Sequence, residues 1–169
     1  MSLAVPEVRQ HLVDVLREAV RFGADGANVI FVRGVPFVLF EPAFCDLFRE
    51  RHGADPKELA EDDPRIPALR AEIVTQFMRD IRTMLDEEGD RRGARLEQSA
   101  YVMGVESDNL RHGLDVATWC EEGLVDLIMP YWRVGGAKIR RFDIPFYANV
   151  CHPHGVRVTP TFVGWALPE

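Results

Sequence analysis

The sequence has few cysteines, no excess of basic residues and no long apolar run. Its three cysteines are widely spaced and form no CxxC pair, which predicts neither a disulfide framework nor a zinc site. The formal net charge of -7 argues against a nucleic-acid-binding surface, which needs clustered Lys and Arg. No apolar run approaches the roughly 20 residues of a membrane-spanning helix. We therefore expect a soluble protein with neither nucleic acid nor membrane among its partners.

Motifs that bind cofactors or metals are also missing. No segment matches GxGxxG or GxxxxGK[ST] between a strand and a helix, so no nucleotide cofactor is expected. His152-Pro153-His154 has the HxH spacing of metal-dependent barrel hydrolases. The pair precedes a predicted strand, however, and that end of a barrel contributes to stability rather than to function. We expect no metal and no cofactor. The N-terminus lacks a targeting pattern, which leaves the localisation open.

What the sequence does contain is a regular alternation of helical and strand-like segments. Helical segments are indicated by one-sided apolar spacing, and strands by short runs of apolar and β-branched residues. The predicted helices cover residues 6–23, 43–53, 66–89, 115–123 and 143–153, and each ends at a Gly or a Pro. The predicted strands cover residues 27–32, 95–103, 124–129 and 156–163. This order predicts an α/β fold with a parallel sheet.

The length limits what such a fold can be. With 169 residues and 47% hydrophobic content, the chain suits a single domain over residues 1–169. A complete (β/α)8 barrel usually needs about 250 residues, so about four parallel βα units supply about half of one. The alternative is a small open sheet with helices on both faces.

Two stretches carry a resemblance to a known family. Residues 22–34 (FGADGANVIFVRG), and residues 113–119 (GLDVATW) with 122–130 (EGLVDLIMP), resemble the glycoside-hydrolase-like family 10 proteins. Those proteins are mostly uncharacterised (β/α)8 barrels. The resemblance implies a partial TIM-type barrel whose strands correspond to the fourth to seventh of the family. It also implies carbohydrate as the partner and a carboxylate-catalysed hydrolysis of a glycosidic bond.

Candidate catalytic groups follow from the barrel prediction. Functional side chains of barrels gather beyond the carboxyl ends of the strands. Glu41 follows the first predicted strand, and Glu106 and Asp108 follow the second. Glycosidases need two carboxyl groups, about 5–5.5 Å apart for retention or about 6.5–9.5 Å apart for inversion. We therefore predict Glu41, Glu106 and Asp108 as loop carboxylates and candidate acids, with ordinary solvated carboxylates as the alternative.

Candidate substrate-binding residues occupy the same strand ends. Tyr131 and Trp132 offer flat apolar faces with polar edges, which suit either a sugar ring or ordinary packing. Arg33 suits a carboxylate partner or an anionic ligand. Arg133 and Trp165 are candidates by position alone.

Two alternatives to hydrolysis stay open, and one further property is expected. The family often has an acidic residue where this chain has Ile30, which favours a non-catalytic barrel that binds a saccharide or serves as a scaffold. A barrel enzyme with different chemistry is the third hypothesis, because a fold does not determine a function. A partial barrel also leaves strand edges and an apolar face uncovered, so we expect a homo-oligomer.

Overall fold

The computed structural model describes residues 2–32, 36–60, 62–131, 133–134, 137–138 and 142–161. The helices are α1 (Pro6–Arg21), α2 (Pro42–His52), α3 (Arg65–Arg92), α4 (Glu106–Arg111), α5 (Val116–Glu121) and α6 (Ile144–Cys151). The strands are β1 (Gly26–Ile30), β2 (Glu97–Met103), β3 (Leu127–Tyr131), β4 (Arg133–Val134), β5 (Ala137–Lys138) and β6 (Arg157–Val158). Short 3₁₀ helices cover Pro56–Glu58 and His152–His154. None of the helices in the described part of the chain is long and apolar enough to cross a membrane.

The main sheet confirms the predicted α/β class and the parallel strands. It has four parallel strands in the order β1-β2-β3-β6, so each strand lies beside the preceding member of the set. Ile30, Tyr101 and Met129 share one row across the sheet. A separate antiparallel hairpin of β4 and β5, which the sequence patterns did not predict, follows β3.

Local signals place most helix ends correctly. The side chains of Asp115 and Asp143 accept hydrogen bonds from the backbone N–H groups of Thr118 and Phe146, which caps α5 and α6 as predicted. The prediction that the long helix ends at Gly89 is wrong, because α3 continues for another turn to Arg92. Gly89 is instead a point of close approach. A Cβ atom there would lie 2.7 Å from the carbonyl oxygen of Ala94 as the chain turns back towards β2.

Two further predictions need correction. Glu106 and Asp108 lie in the first turn of α4 and not in a loop. The last predicted strand, residues 156–163, is shorter in the structure, where β6 covers Arg157–Val158 and a single bridge joins Thr161 to Tyr131. Pro160 has no N–H group to donate between these two contacts, which explains the interruption. Residues 162 and 163 lie outside the described part of the chain.

The helices that contact the sheet pack on one of its faces. The covered face presents Ala27, Ala100 and Ile128 to the helices, and these residues belong to the two large buried clusters. Side chains that alternate with them point to the opposite side, which we call the open face. Six residues of the open face are exposed or half-buried: Asn28, Ile30, Ser99, Tyr101, Leu127 and Met129. The core therefore lies between the sheet and a single layer of helices.

An ionic cluster joins α1 to α3. Glu88 has a side chain that is only 5% exposed, and its carboxylate accepts hydrogen bonds from Arg21, Arg17 and Arg91. These guanidinium groups, Arg21 first, hold the pKa of Glu88 at about 2, against the opposing effect of desolvation. The carboxylate consequently stays ionised across the physiological pH range.

We predict that Glu88→Gln lowers the free energy of unfolding at pH 7. The folded-state pKa is depressed, so the stabilisation by Glu88 is complete above the ordinary glutamate pKa of 4.5 and is lost as the pH falls towards 2. The free energies of unfolding of wild type and variant, measured with urea between pH 7 and pH 2, should therefore become equal as the pH falls. Glu18→Gln, at an exposed residue of α1, is the control, and its free energy of unfolding should equal that of wild type at each pH. A difference in free energy of unfolding between wild type and Glu88→Gln that stays constant with pH would refute the role of the ionised Glu88.

Candidate functional site

A cleft of about 940 Å³ is built by the segments that follow β1 and β2 at their carboxyl ends. Its walls come from the loop before α2, the 3₁₀ helix Pro56–Glu58, the first turns of α3 and the end of α4. Apolar lining is supplied by Pro36, Phe40, Pro56, Leu59, Pro64, Ile66 and Pro67. Charged or titratable lining is supplied by Lys57, Asp62, Arg70, Arg111 and His112. The carboxyl edge of a parallel sheet is where ligands of α/β proteins usually bind.

Arg70, on α3, is one of the charged residues that line the cleft. Its Nε–H donates to the carbonyl oxygen of Val38 at 2.9 Å, which ties the loop after β1 to α3. The Cζ atom lies 5.3 Å from the centre of the Phe40 ring and 5.9 Å from that of Phe44. Burial lowers the pKa of Arg70, while the negative charge of Glu41 opposes that effect. Even so, a guanidinium remains charged at neutral pH and can donate to an anion.

Gly113 allows the turn after α4 to pack closely against α3. Its φ is +77°, and an added Cβ atom would lie 2.6 Å from Cβ of Arg70 and 2.8 Å from the backbone carbon of that residue. The turn after α4 can approach α3 this closely only because residue 113 has no side chain. His112 is consequently held beside Arg70.

His112 is half-buried, and its pKa is lowered from the ordinary value of 6.5. Burial is the largest cause, the positive charges of Arg111 and Arg70 act in the same direction, and Asp108 opposes them. The imidazole is therefore neutral at pH 7 and offers one hydrogen-bond donor and one acceptor to the cleft.

A buried hydrogen-bonded network fixes the start of α4. The Asn109 side-chain oxygen accepts from the backbone N–H of Met103 at 2.9 Å, and its amide donates to the Tyr147 hydroxyl at 2.8 Å. The Tyr147 hydroxyl in turn donates to the carbonyl oxygen of Met103. Burial raises the pKa of Tyr147, so its hydroxyl remains a donor. The carboxyl end of β2 is thus joined rigidly to α4 and α6.

The three predicted catalytic carboxylates are not equivalent. Glu41 is half-buried, accepts a hydrogen bond from the Ser2 hydroxyl and acts electrostatically on Arg70. Asp108 is also half-buried and acts on His112. Glu41 and Asp108 therefore flank basic lining residues of one cleft, whereas Glu106 is exposed at the first turn of α4.

Few of the predicted substrate-binding side chains can be placed. Tyr131 is 6% exposed at the end of β3 and packs in a small cluster with Val32, Tyr101 and Phe142. Its ring meets that of Tyr101 edge-on, with centres 6.3 Å apart. Arg33, Trp132 and Trp165 lie outside the described residues, and for Arg133 only the backbone, in β4, is described.

Sequence patterns missed the cleft itself. Residues 54–64 have the composition of an acidic, proline-bearing linker, yet their Pro56, Lys57 and Leu59 form one wall. Arg70 and His112 lie 42 positions apart in the chain, and no local signal connects them. Gly113 was the available clue, because a glycine next to a titratable residue is compatible with a close tertiary contact.

Comparison with known proteins gives no further assignment. No protein-family model matches the chain, and no curated protein is significantly similar to it. Within the described residues, no group of three His, Cys, Asp or Glu side chains is arranged to hold a metal ion. His152 and His154 are exposed in the 3₁₀ helix that precedes β6, at the amino end of the sheet.

We predict that Gly113→Ala destabilises the protein more than Gly123→Ala. Both glycines have positive φ, so each substitution costs about 1–2 kcal/mol in backbone strain. Only at Gly113 does the new methyl group also collide with α3, since nothing lies within 4 Å of the corresponding position at Gly123. The collision should add roughly 1 kcal/mol or more to the loss in free energy of unfolding, measured with urea. Equal losses for the two variants would show that the approach to Arg70 is not tight.

Proposed function

We propose that the chain is a sector of a (β/α) barrel of the glycoside-hydrolase-like type and that it binds a saccharide in the cleft at its carboxyl edge. The sheet supports the barrel assignment because its strands follow in chain order without a reversal. The helices that contact it cover one face, as in a barrel, whereas a doubly wound sheet carries helices on both.

The composition of the cleft carries the proposal for a saccharide. Sugar rings have apolar C–H faces and a periphery of hydroxyl groups, so they suit a site with apolar walls and a few fixed polar groups. Phe40 and the prolines supply the walls, and Arg70 and the neutral His112 supply polar groups. Lys57 and Arg70 also place positive charge on the cleft, which favours a sugar that carries a carboxylate.

Hydrolysis is the second candidate function, and the positions of Glu41 and Asp108 favour it. Each carboxylate acts electrostatically on a lining residue, Glu41 on Arg70 and Asp108 on His112, although neither is itself among the lining residues. The residues of the strands give less support for hydrolysis. Ile30 is 60% exposed on the open face, in the row of Tyr101 and Met129, where the family often has an acidic residue. Binding without turnover is therefore the primary proposal.

We predict that a uronic-acid trisaccharide binds more tightly than a neutral trisaccharide and that Arg70→Met removes this preference. Loss of a charge-assisted hydrogen bond costs about 1.5–3 kcal/mol, which corresponds to a roughly 10-fold or greater increase in Kd by titration calorimetry. Arg79→Met is the matched control, because Arg79 lies on the same helix but pairs with Glu122 outside the cleft. Equal affinity of wild type for the two sugars would refute the acidic-sugar assignment.

A reducing-end assay on the same saccharides separates binding from hydrolysis. If the cleft is catalytic, reducing ends should appear with wild type and disappear in Glu41→Gln and Asp108→Asn while affinity is retained. Binding with no release of reducing ends would support the non-catalytic proposal. Failure of every saccharide of a broad panel to bind would contradict the proposed function as a whole.

We further propose that a second copy of the chain covers the open face. Two observations support this: apolar side chains of the open face are partly exposed, and β1 and β6 are the outer strands of a sheet whose strands all run in one direction. The outer edge of β6 in one copy is therefore directionally compatible with the outer edge of β1 in another.

Self-association should depend on the open face. We predict that light scattering at micromolar concentration shows an oligomer and that Ile30→Glu shifts it to a monomer. A charge introduced in the apolar row would have to be desolvated on association. Val15→Glu, at a side chain 51% exposed on α1, is the matched control and should leave the oligomer intact. A monomeric wild type would contradict this proposal without affecting the sugar-binding one.

A further inference from the structure

Two buried thiols from neighbouring helices lie in contact. Cys120 is in the last turn of α5 and Cys151 is the final residue of α6. Their sulfur atoms are 3.6 Å apart, and the residues are 1% and 0% exposed. Both cysteines are reduced in this structure. Such a separation is close to van der Waals contact, so a small movement would bring the sulfurs within bonding distance of about 2.05 Å.

We propose that Cys120 and Cys151 form a redox modification site, which a peroxide oxidises to a disulfide that links α5 to α6. The inference is independent of the proposed saccharide site. It explains why two buried sulfurs face each other, whereas the third cysteine, Cys45, is equally buried in α2 and has no sulfur partner among the described residues.

The contact assigns different roles to the two sulfurs. The Cys120 S–H donates to the Cys151 sulfur. This hydrogen bond lowers the pKa of Cys151, whereas it raises that of Cys120. Cys151, which accepts this hydrogen bond and lies directly before the exposed 3₁₀ helix His152–His154, is therefore assigned as the sulfur that forms the nucleophilic thiolate, and Cys120 as the resolving thiol.

The oxidation balances with one peroxide. The Cys151 thiolate attacks one peroxide oxygen, the O–O bond breaks, and the departing hydroxide takes up a proton as water, leaving a sulfenic acid. The Cys120 sulfur then attacks the Cys151 sulfur. The S–S bond forms as the S–O bond breaks, and the second hydroxide leaves as water with the Cys120 proton. Overall, two thiols and one hydrogen peroxide give one disulfide and two waters.

The position of Cys151 gives a route for the oxidant. The residue lies directly before the exposed 3₁₀ helix His152–His154, which ends at Gly155 with φ 72°. Local opening of this short exposed segment would uncover the end of α6 without unfolding the sheet. The closed disulfide would enclose residues 120–151, a segment that includes β3. It should therefore stabilise the fold by reducing the entropy of the unfolded chain.

Hydrogen peroxide is the probe for this site. After treatment of the full chain, thiol titration in denaturant should fall from three groups to one, and peptide mapping without reductant should link Cys120 to Cys151 within one chain. The midpoint of thermal unfolding should rise by about 5 °C or more and return on reduction with dithiothreitol. Three remaining thiols, or a link that involves Cys45 or a second chain, would overturn the proposal.

Two variants test the separate roles. Cys45→Ser should form the same disulfide as wild type. Cys120→Ser should leave a Cys151 sulfenic acid that a cyclic 1,3-dione traps, with a mass increase on the peptide containing Cys151. If the trapped sulfur in Cys120→Ser is Cys45, Cys151 is not the reactive thiol. Should Cys120→Ser fail to fold, the thiol count of wild type and Cys45→Ser still decides the proposal.

Discussion

The fold depends on the packing of the helices against one face of the sheet. Ala27, Ala100 and Ile128 contribute to an apolar surface, and the helical layer covers it with fully buried residues such as Trp119 and Leu85. The buried indole N–H of Trp119 is satisfied, since it donates to the Thr75 hydroxyl at 2.9 Å. Because the two large buried clusters lie on this side, the described carboxyl-edge segments are positioned mainly by the helices.

The two ends of the sheet are held by different chemistry. At the amino end, charged groups dominate: Asp126 binds Arg82, Arg95 and the backbone N–H of Gln98, and Arg157 pairs with Glu97. At the carboxyl end, the neutral network of Asn109 and Tyr147 makes the connection. Because the groups of this network are neutral, they do not form ion pairs with the charged residues of the cleft. The amino end is thus held mainly by ion pairs, and the carboxyl end, where the cleft lies, by neutral hydrogen bonds.

Local sequence signals predicted the order of elements well because each signal acts within a few residues. Asp115 caps its helix, Gly53 ends α2 with a positive φ, and residues 27–30 form a strand as their apolar run indicates. The error at Gly89 has a physical cause: that glycine serves a close tertiary approach, while Gly93 supplies the left-handed end of α3. Residue type alone does not distinguish these two uses of glycine.

The candidate site was predictable only in part. Glu41 and Asp108 were predicted as candidates because functional groups of barrels gather beyond the carboxyl ends of the strands, and each acts electrostatically on a lining residue of the cleft. Arg70 was not, since its position near the loop after β1 follows from a hydrogen bond to Val38 and from contact with Gly113, both far away in the chain. Sites assembled by long-range packing leave little trace in a single sequence.

The bare backbone at Gly113 also has a consequence for how the cleft can change. One wall is pressed against α3 with no spare space, so its separation from Arg70 is at a lower limit. Another wall contains the short 3₁₀ helix Pro56–Glu58, whose Lys57 is exposed. Natural or engineered changes in the width of the cleft would therefore act through the 3₁₀ helix, while the wall at Gly113 stays fixed.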